Sequence, residues 1–173
     1  QLQQVERAKL FVNDEPTEMK VESGFATVER EWSDGDRVRL ELPMPIRVSV
    51  CRKEVAADRG RVAISRGPLV YCAEAADNAQ HVYNYLLRPN ASMTSARLEA
   101  RTIAEHQVQA IVMAAEALSD DGNLAPAELT LVPYYAWNNR GVGAMAVWLP
   151  HNLQTLRSGA LVIDDNAKRF KSA

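Results

Sequence analysis

"ARLEARTIAEHQVQAIVMAAEAL", from Ala96 to Leu118, is the stretch on which the fold class turns. Its Ala, Glu and Leu content slightly favours helix by propensity. Read at a period of two, its second half puts Val108, Ala110, Val112 and Ala114 on one face, as a half-buried strand would. A helix here gives a mixed α/β chain, and a strand gives an all-β one. The residues of this segment allow both.

The neighbouring segments all read as strands. "RVRLELPMPIRVSV", Arg37 to Val50, alternates Val38, Leu40 and Leu42 against Arg37, Arg39 and Glu41. Pro43 and Pro45 interrupt that ladder, which predicts an edge or a bend. Lys9–Val12 is a short apolar run, and Gly24–Glu31 alternates as a half-buried strand. Arg61–Ser65, Leu69–Glu74, Glu128–Pro133 and Ala144–Leu149 are further strands, the last two linked through Gly141 and Gly143. Turn signals fall between them: "NDEP", "WSDGD", "ADRG", "EAADN" and "SDDGNLAP". That rhythm is the pattern of a β-sandwich or barrel. One domain is expected over residues 1–150, with a fraying tail of mixed polarity over 151–173.

The bulk numbers narrow the function classes. A chain of 173 residues with 47% hydrophobic and 24% charged residues suits a globular domain with a real core. A net charge of −2 offers no basic field for nucleic acid. No apolar run approaches the ~18 residues of a membrane span. The chain opens "QLQQVERAKLFVNDEP", with neither an initiator Met nor a signal pattern, so a piece of a longer protein is expected. Cys51 and Cys72 are expected to be free thiols buried as small hydrophobes rather than a disulfide. His81, His106 and His151 are scattered, and no His or Cys pair has metal-ligand spacing. No metal site and no cofactor is expected from this chain.

Motifs of catalysis are absent as well: there is no G-x-S-x-G elbow, Walker A loop or H-E-x-x-H. Asp14, Asp34, Asp36, Asp120 and Asp121 sit in turns, while Glu29 and Glu41 lie on the polar face of strands. Glu74 differs, because it ends a buried-looking run and is followed by Asp77 and Asn78. Such a carboxylate is expected to be pinned by hydrogen bonds at a domain contact. Asn90-Ala91-Ser92 matches the glycosylation acceptor pattern. No residue is assigned a catalytic role.

"LVPYYAWNNRGVGAMAVWLP", Leu131 to Pro150, holds the candidate binding residues. As a sugar platform, Tyr135 or Trp137 stacks on a sugar face while Asn138, Asn139 and Arg140 bond hydroxyls. As a bulged connection between core strands, Tyr134 and Trp137 cover the sandwich end and Arg140 pins a carbonyl or carboxylate.

Three stretches together resemble one family. "GFATVEREWSDGDRVRLELPMPIRV" (Gly24–Val48), "GRVAISRGPLVYCAE" (Gly60–Glu74) and the Leu131–Pro150 segment are similar, in order and spacing, to motifs of glycoside hydrolase family 127, the β-L-arabinofuranosidase family. The resemblance spans roughly residues 10 to 150. It implies an N-terminal (α/α)6 barrel followed by β-sandwich domains, with this chain in the sandwich region. It also implies a retaining glycosidase in which a zinc-bound cysteine nucleophile and an acid/base carboxylate lie in or just after the barrel. Neither Cys51 nor Cys72 stands in that zinc-site context, so no family catalytic or metal residue carries over. The strand that opens the family's sandwich is missing or degenerate here.

The family places strands over residues 103–117, which decides Ala96–Leu118 as β. The expectation is an all-β, antiparallel, jelly-roll-like sandwich, incomplete at its first strand. Its expected work is to brace the catalytic barrel and a homodimer contact. The alternative is a carbohydrate-binding module that grips a plant-type glycan through Tyr135, Trp137, Asn138, Asn139 and Arg140.

Overall fold

The computed structural model describes residues 8–119 and 121–158. Within them the chain forms two compact units, one up to Pro45 and one from Ile46 onward. The sequence predicts one domain over residues 1–150. Pro43 and Pro45, read as a bend in a strand, stand where the first unit ends.

The first unit is built from tight hairpins. β1 (Lys9–Val12) pairs antiparallel with β2 (Glu15–Thr17), and Val12 faces Glu15 across a two-residue turn. Asn13 and Asp14 both take positive φ there, 52° and 65°, the backbone of a type I′ turn that Asn and Asp tolerate. β3 (Lys20–Glu22) and β4 (Phe25–Thr27) form a second hairpin around Ser23 and Gly24. β5 (Val38–Glu41) returns to pair with β1, placing Leu40 opposite Leu10. The Asn13 side chain ties this together: Oδ1 accepts from Arg37 N at 2.9 Å and Nδ2 donates to Asp36 at 2.8 Å. Asp36 also accepts from Ser33 N at 2.9 Å. Only Leu10 and Val12 are buried among the described residues of this unit.

One expectation fails here, and one strand is placed differently from its alternation. The segment 24–31 is strand only over Phe25–Thr27, and those residues are exposed rather than half-buried, Phe25 by 75%. Val38, Leu40 and Leu42 do alternate, yet all three are exposed. Alternation records that a face is apolar; it does not supply a layer to cover it.

The second unit is one nine-stranded antiparallel sheet. β6 (Ile46–Val50), β7 (Arg61–Arg66) and β8 (Leu69–Glu74) come first. β9 (Tyr85–Leu86) leads into a short helix, α1 (Pro89–Ser95), with Pro at its start. β10 (Arg97–Ile103), β11 (His106–Leu118) and β12 (Leu124–Pro133) form the long hairpins, and β13 (Met145–Ala146) and β14 (Leu149–Pro150) close the unit. The main order is β10-β11-β12-β8-β7-β14; β6 also pairs with β7, β13 with β8, and β9 with β11.

Ala96–Leu118 is thus a β-hairpin, as the family likeness implied. Its turn, Ala104-Glu105, has φ of 46° and 70° without Gly or Asn, which is why the residues gave no hairpin signal. β11 is also buried on both faces. Ile111, Met113, Ala115 and Ala117 enter the main core with Val62, Ile64, Tyr71, Leu129 and Leu131. Val108 and Ala110 face a second cluster with Cys72, Ile103, Val132 and Ala136. The expected one-sided strand is corrected: the odd-numbered face carries the larger core, and Ala114 on the even face is exposed. Burial on both sides produces a continuous apolar run, which helix and strand share.

Ala144–Leu149, expected as one strand, is two short ones, β13 and β14. The tail is corrected over its first part. His151 N donates to Gly60 O at 3.0 Å, residues 153–158 are helical, and Leu156 is fully buried. Residues 159–173 and Asp120 lie outside the described residues.

Candidate functional site

β8 ends at Glu74, and a single 3-10 turn, Ala75–Asp77, follows it directly. The turn brings the Asp77 carboxylate beside that of Glu74. β12 ends at Pro133 on the neighbouring strand, and a matching 3-10 turn, Tyr134–Ala136, opens the aromatic–amide loop. Asn138 at φ 64° and Gly141 at φ 113° turn the loop back on itself. Asn138 tolerates that left-handed backbone better than most residues, and the turn aims Arg140 inward.

The two carboxylates meet Arg140 there. Its guanidinium grips Asp77 through two bonds, Nη1 to Oδ1 at 2.7 Å and Nη2 to Oδ2, and Nη2 also donates to Glu74 Oε2. Glu74 Oε1 accepts from Asn138 N at 3.3 Å. Both carboxylates are nearly inaccessible, with side chains 2% and 4% exposed. The hydrogen bonds it donates to Asp77, then to Glu74, tighten Arg140's hold on its proton. A fork-shaped cation matched to two buried carboxylates is a lock, and geometry of this kind favours Arg over Lys.

The lock extends across the sheet. Asp77 also faces Arg101 at 3.4 Å, Arg101 reaches Glu99 at 3.2 Å, and Arg97 bridges Glu99 and Glu128 at 3.0 and 2.8 Å. Asn78 copies a strand's hydrogen bonding with its side chain. Its Oδ1 accepts from Thr130 N at 2.9 Å, and its Nδ2 donates to Thr130 O at 3.0 Å and Glu74 O at 2.8 Å. Buried polar groups are here answered one by one, which a stable core requires.

The candidate residues divide accordingly. Asn139 Nδ2 donates to its own loop, to Ala136 O at 3.1 Å and Trp137 O at 3.3 Å. Trp137 is half-buried on the second core cluster and stacks on Tyr134, ring centres 6.0 Å apart. Arg140 and Glu74 are joined to each other. Tyr135, 63% exposed, and the Asn138 side chain project outward with no hydrogen-bond partner among the described residues. Val142, between Gly141 and Gly143, is fully exposed at the tip. Asp77 and Arg101 are the partners that sequence reasoning did not place in the site. The spacing of Glu74 and Asp77 hinted at the first, but Arg101 arrives through strand register alone.

The remaining candidates are quickly placed. Cys72 is buried, and desolvation, then the nearby Glu74 and Asp77 charges, push its thiol up to about 12, so it is neutral at physiological pH. Both cysteines are free, but Cys51 is half-buried rather than buried as expected, with its Sγ beside the Arg52 carbonyl at 3.3 Å. Ser92 of the acceptor tripeptide is buried in α1, its Oγ accepting from Arg88 N at 3.3 Å. Among the described residues no three His, Cys, Asp or Glu side chains gather to hold a metal ion. These residues therefore do not offer the ligand set that zinc needs.

A second feature escaped the sequence reading. An open groove of about 1210 Å³ is lined by Tyr83, Tyr134 and Trp148 together with Asp58, Asn152 and Gln154. Its residues come from four separate segments, so no local motif announces it.

Comparison with known proteins agrees with this layout. Residues 46–150 match the glycoside hydrolase family 127 C-terminal domain, and residues 4–44 match the middle domain of the family's β-L-arabinofuranosidases. The two matches meet where the structure divides into its units. The chain is 34% identical over 152 residues to the non-reducing end β-L-arabinofuranosidase of Bifidobacterium longum subsp. longum, covering 80% of this chain and 23% of that protein. A solved family 127 β-arabinofuranosidase superposes with a TM-score of 0.71 at 36% identity, over 86% of this chain and 24% of that one. A β-L-arabinofuranosidase of Geobacillus stearothermophilus T6 gives 0.70 at 31%, over 86% and 25%. The chain thus spans about a quarter of the length of these relatives, and it belongs to glycoside hydrolase family 127, whose C-terminal domain it carries.

Proposed function

We propose that this chain is the non-catalytic C-terminal region of a β-L-arabinofuranosidase-like glycosidase, and that it braces the catalytic barrel. The observation that carries this reading is the direction of the aromatic–amide loop. Arg140 is tied to Asp77 and Glu74, Asn139 bonds its own loop and Trp137 is half-buried, whereas Tyr135 and Val142 stand out at its surface without partners among the described residues. A loop locked at its base that presents an aromatic ring and an apolar tip suits contact with another folded body. Its acidic groups suit chemistry poorly, since Glu74 and Asp77 already engage Arg140. Zinc and the nucleophilic cysteine belong, in this reading, to the barrel.

Activity of the chain by itself is the first test. The 173-residue chain is expected to release no arabinose from a synthetic β-L-arabinofuranoside, and the intact enzyme is expected to do so. Release by the chain alone would overturn the proposal. In the intact enzyme, Val142→Asp and Tyr135→Ala are expected to bring on thermal inactivation several degrees earlier, roughly 1–2 kcal/mol of lost contact. Both variants should leave the melting of this domain unchanged.

A further inference from the structure

We propose that the groove lined by Tyr83, Tyr134 and Trp148 is a docking surface for an acidic face of the enzyme's catalytic barrel, received by Arg59 and Arg61. The inference rests on the bracing role proposed above and adds the chemistry of the contact.

Positive charge is concentrated here. The connector from Cys51 to Gly60 and the first residue of β7 carry Arg52, Lys53, Arg59 and Arg61 against Glu54 and Asp58, in a chain whose net charge is −2. The docked segment 151–158 adds Arg157 and no carboxylate. None of these five cations has an ion-pair partner among the described residues. By contrast, all four arginines between Gly67 and Pro150 are paired: Arg88 with Glu116, Arg97 with Glu128, Arg101 with Asp77, and Arg140 with Asp77 and Glu74. Cations gathered without counter-charges repel one another and set up a field that an acidic surface relieves.

Arg59 and Arg61 bring that charge into the groove, where Asp58 is the one carboxylate of the lining. Each gives one donor to the connector's backbone, Arg59 Nη2 to Lys53 O at 3.2 Å and Arg61 Nη1 to Ala57 O at 2.7 Å. Each keeps its charge and its remaining donors. The connector is itself held, Val55 N donating to Arg52 O and His151 N to Gly60 O, both at 3.0 Å. Guanidiniums placed in advance lose little freedom when a carboxylate arrives.

The lining also points to a protein partner. Tyr, Trp and Arg are the residues that anchor protein interfaces, and all three types line this groove. Its volume of about 1210 Å³ exceeds the usual range of a small-molecule pocket. Tyr134, in the lining, and Tyr135, exposed on the aromatic–amide loop, share the 3-10 turn Tyr134–Ala136. A body that meets the loop at Tyr135 therefore adjoins the groove.

Zero-length cross-linking of the intact enzyme with a water-soluble carbodiimide tests this. The reagent activates a carboxyl, and a neighbouring Lys53 Nζ displaces the resulting urea to form an amide. Lys53 is exposed, and its carbonyl holds Arg59. It is expected to be linked to an Asp or Glu of the catalytic barrel at low salt, and to lose that link in about 1 M NaCl. Links from Lys53 only to its own domain or to a second copy, or no link at all, would overturn the proposal. Charge is read separately at Arg59, because Arg59→Gln and Arg59→Glu both lose the guanidinium's bond to Lys53 O and differ in charge. At low salt Arg59→Glu is expected to inactivate thermally about threefold faster than Arg59→Gln, a gap that closes in about 1 M NaCl. Equal rates at low salt would also overturn it. If Val142→Asp and Tyr135→Ala act as expected while Lys53 forms no link, the bracing role stands and the groove has no part in it. Arabinose release by the chain alone would instead count against the bracing role itself.

Discussion

Arg140 reads in the sequence either as a hydroxyl-bonding residue of an amide-rich loop or as a pin for a carbonyl or carboxylate, and in the structure it lies between two buried carboxylates. Its removal leaves Glu74 and Asp77 facing each other without compensation. Arg140→Ala is therefore expected to cost about 3–5 kcal/mol, on the order of 10–20 °C in melting temperature. Arg140→Lys should recover only part of this, because a single ammonium cannot reproduce the fork. A double-mutant cycle with Glu74→Gln measures the coupling, expected at about 1–3 kcal/mol. A melt of Arg140→Ala within about a degree of the parent would show the lock to be ornamental. The carboxylate end of this lock was legible: Glu74 stood out because it closes an apolar run. Its arginine was legible only as a residue that pins something, since residues 66 apart in the chain meet through sheet register.

At the scale of elements, the docking of residues 151–158 shows what local composition omits. The segment is polar and reads as a fraying tail, yet Leu156 is buried and the segment packs against the turn before β7. Gly60 makes this possible. It sits at φ +77°, and a Cβ placed there would lie 2.1 Å from Thr155 Oγ1 and 2.5 Å from Asn152 Nδ2. Gly60→Ala is expected to cost about 1–3 kcal/mol and to loosen the segment from the sheet. Hydrogen exchange at the Leu156 amide should then accelerate more than exchange within β11. Uniform acceleration would instead place the damage in the sheet as a whole. The hairpin of β10 and β11 was obscured for a related reason: Ala104 and Glu105 adopt a backbone that their side chains do not advertise.

At the scale of the molecule, each unit has its own sources of stability. The second unit has a two-sided sheet with two cores. The first has two buried apolar residues among those described and a polar node at Asn13 and Asp36. The backbone bond from Ser33, then the Asn13 amide, hold the Asp36 carboxyl below its usual value near ~3.9. A carboxyl depressed by folding contributes stability above its unfolded value, and that contribution is lost as pH falls through the folded one. The first unit is accordingly expected to lose stability below about pH 4, a dependence that Asp36→Asn should flatten. Amide resonances of β1 and β5 followed through an acid titration check this. A first unit indifferent to acid, or an Asp36→Asn variant with an unchanged profile, would remove Asp36 from the account.

By itself the sequence determined the strand rhythm, the turns at "ND" and "DG", the free thiols and, through three spaced motifs, the family. These features are local, or repeat at a fixed period, and local sterics and burial write them directly into the chain. Tertiary structure alone decided that Pro45 divides two units, that β11 is buried on both faces, and that Arg140 belongs to Glu74 and Asp77. It alone assembled the groove of Tyr83, Tyr134 and Trp148. Each of these depends on which strands lie side by side and on what covers them, and that is a property of the whole packed sheet rather than of any window of residues.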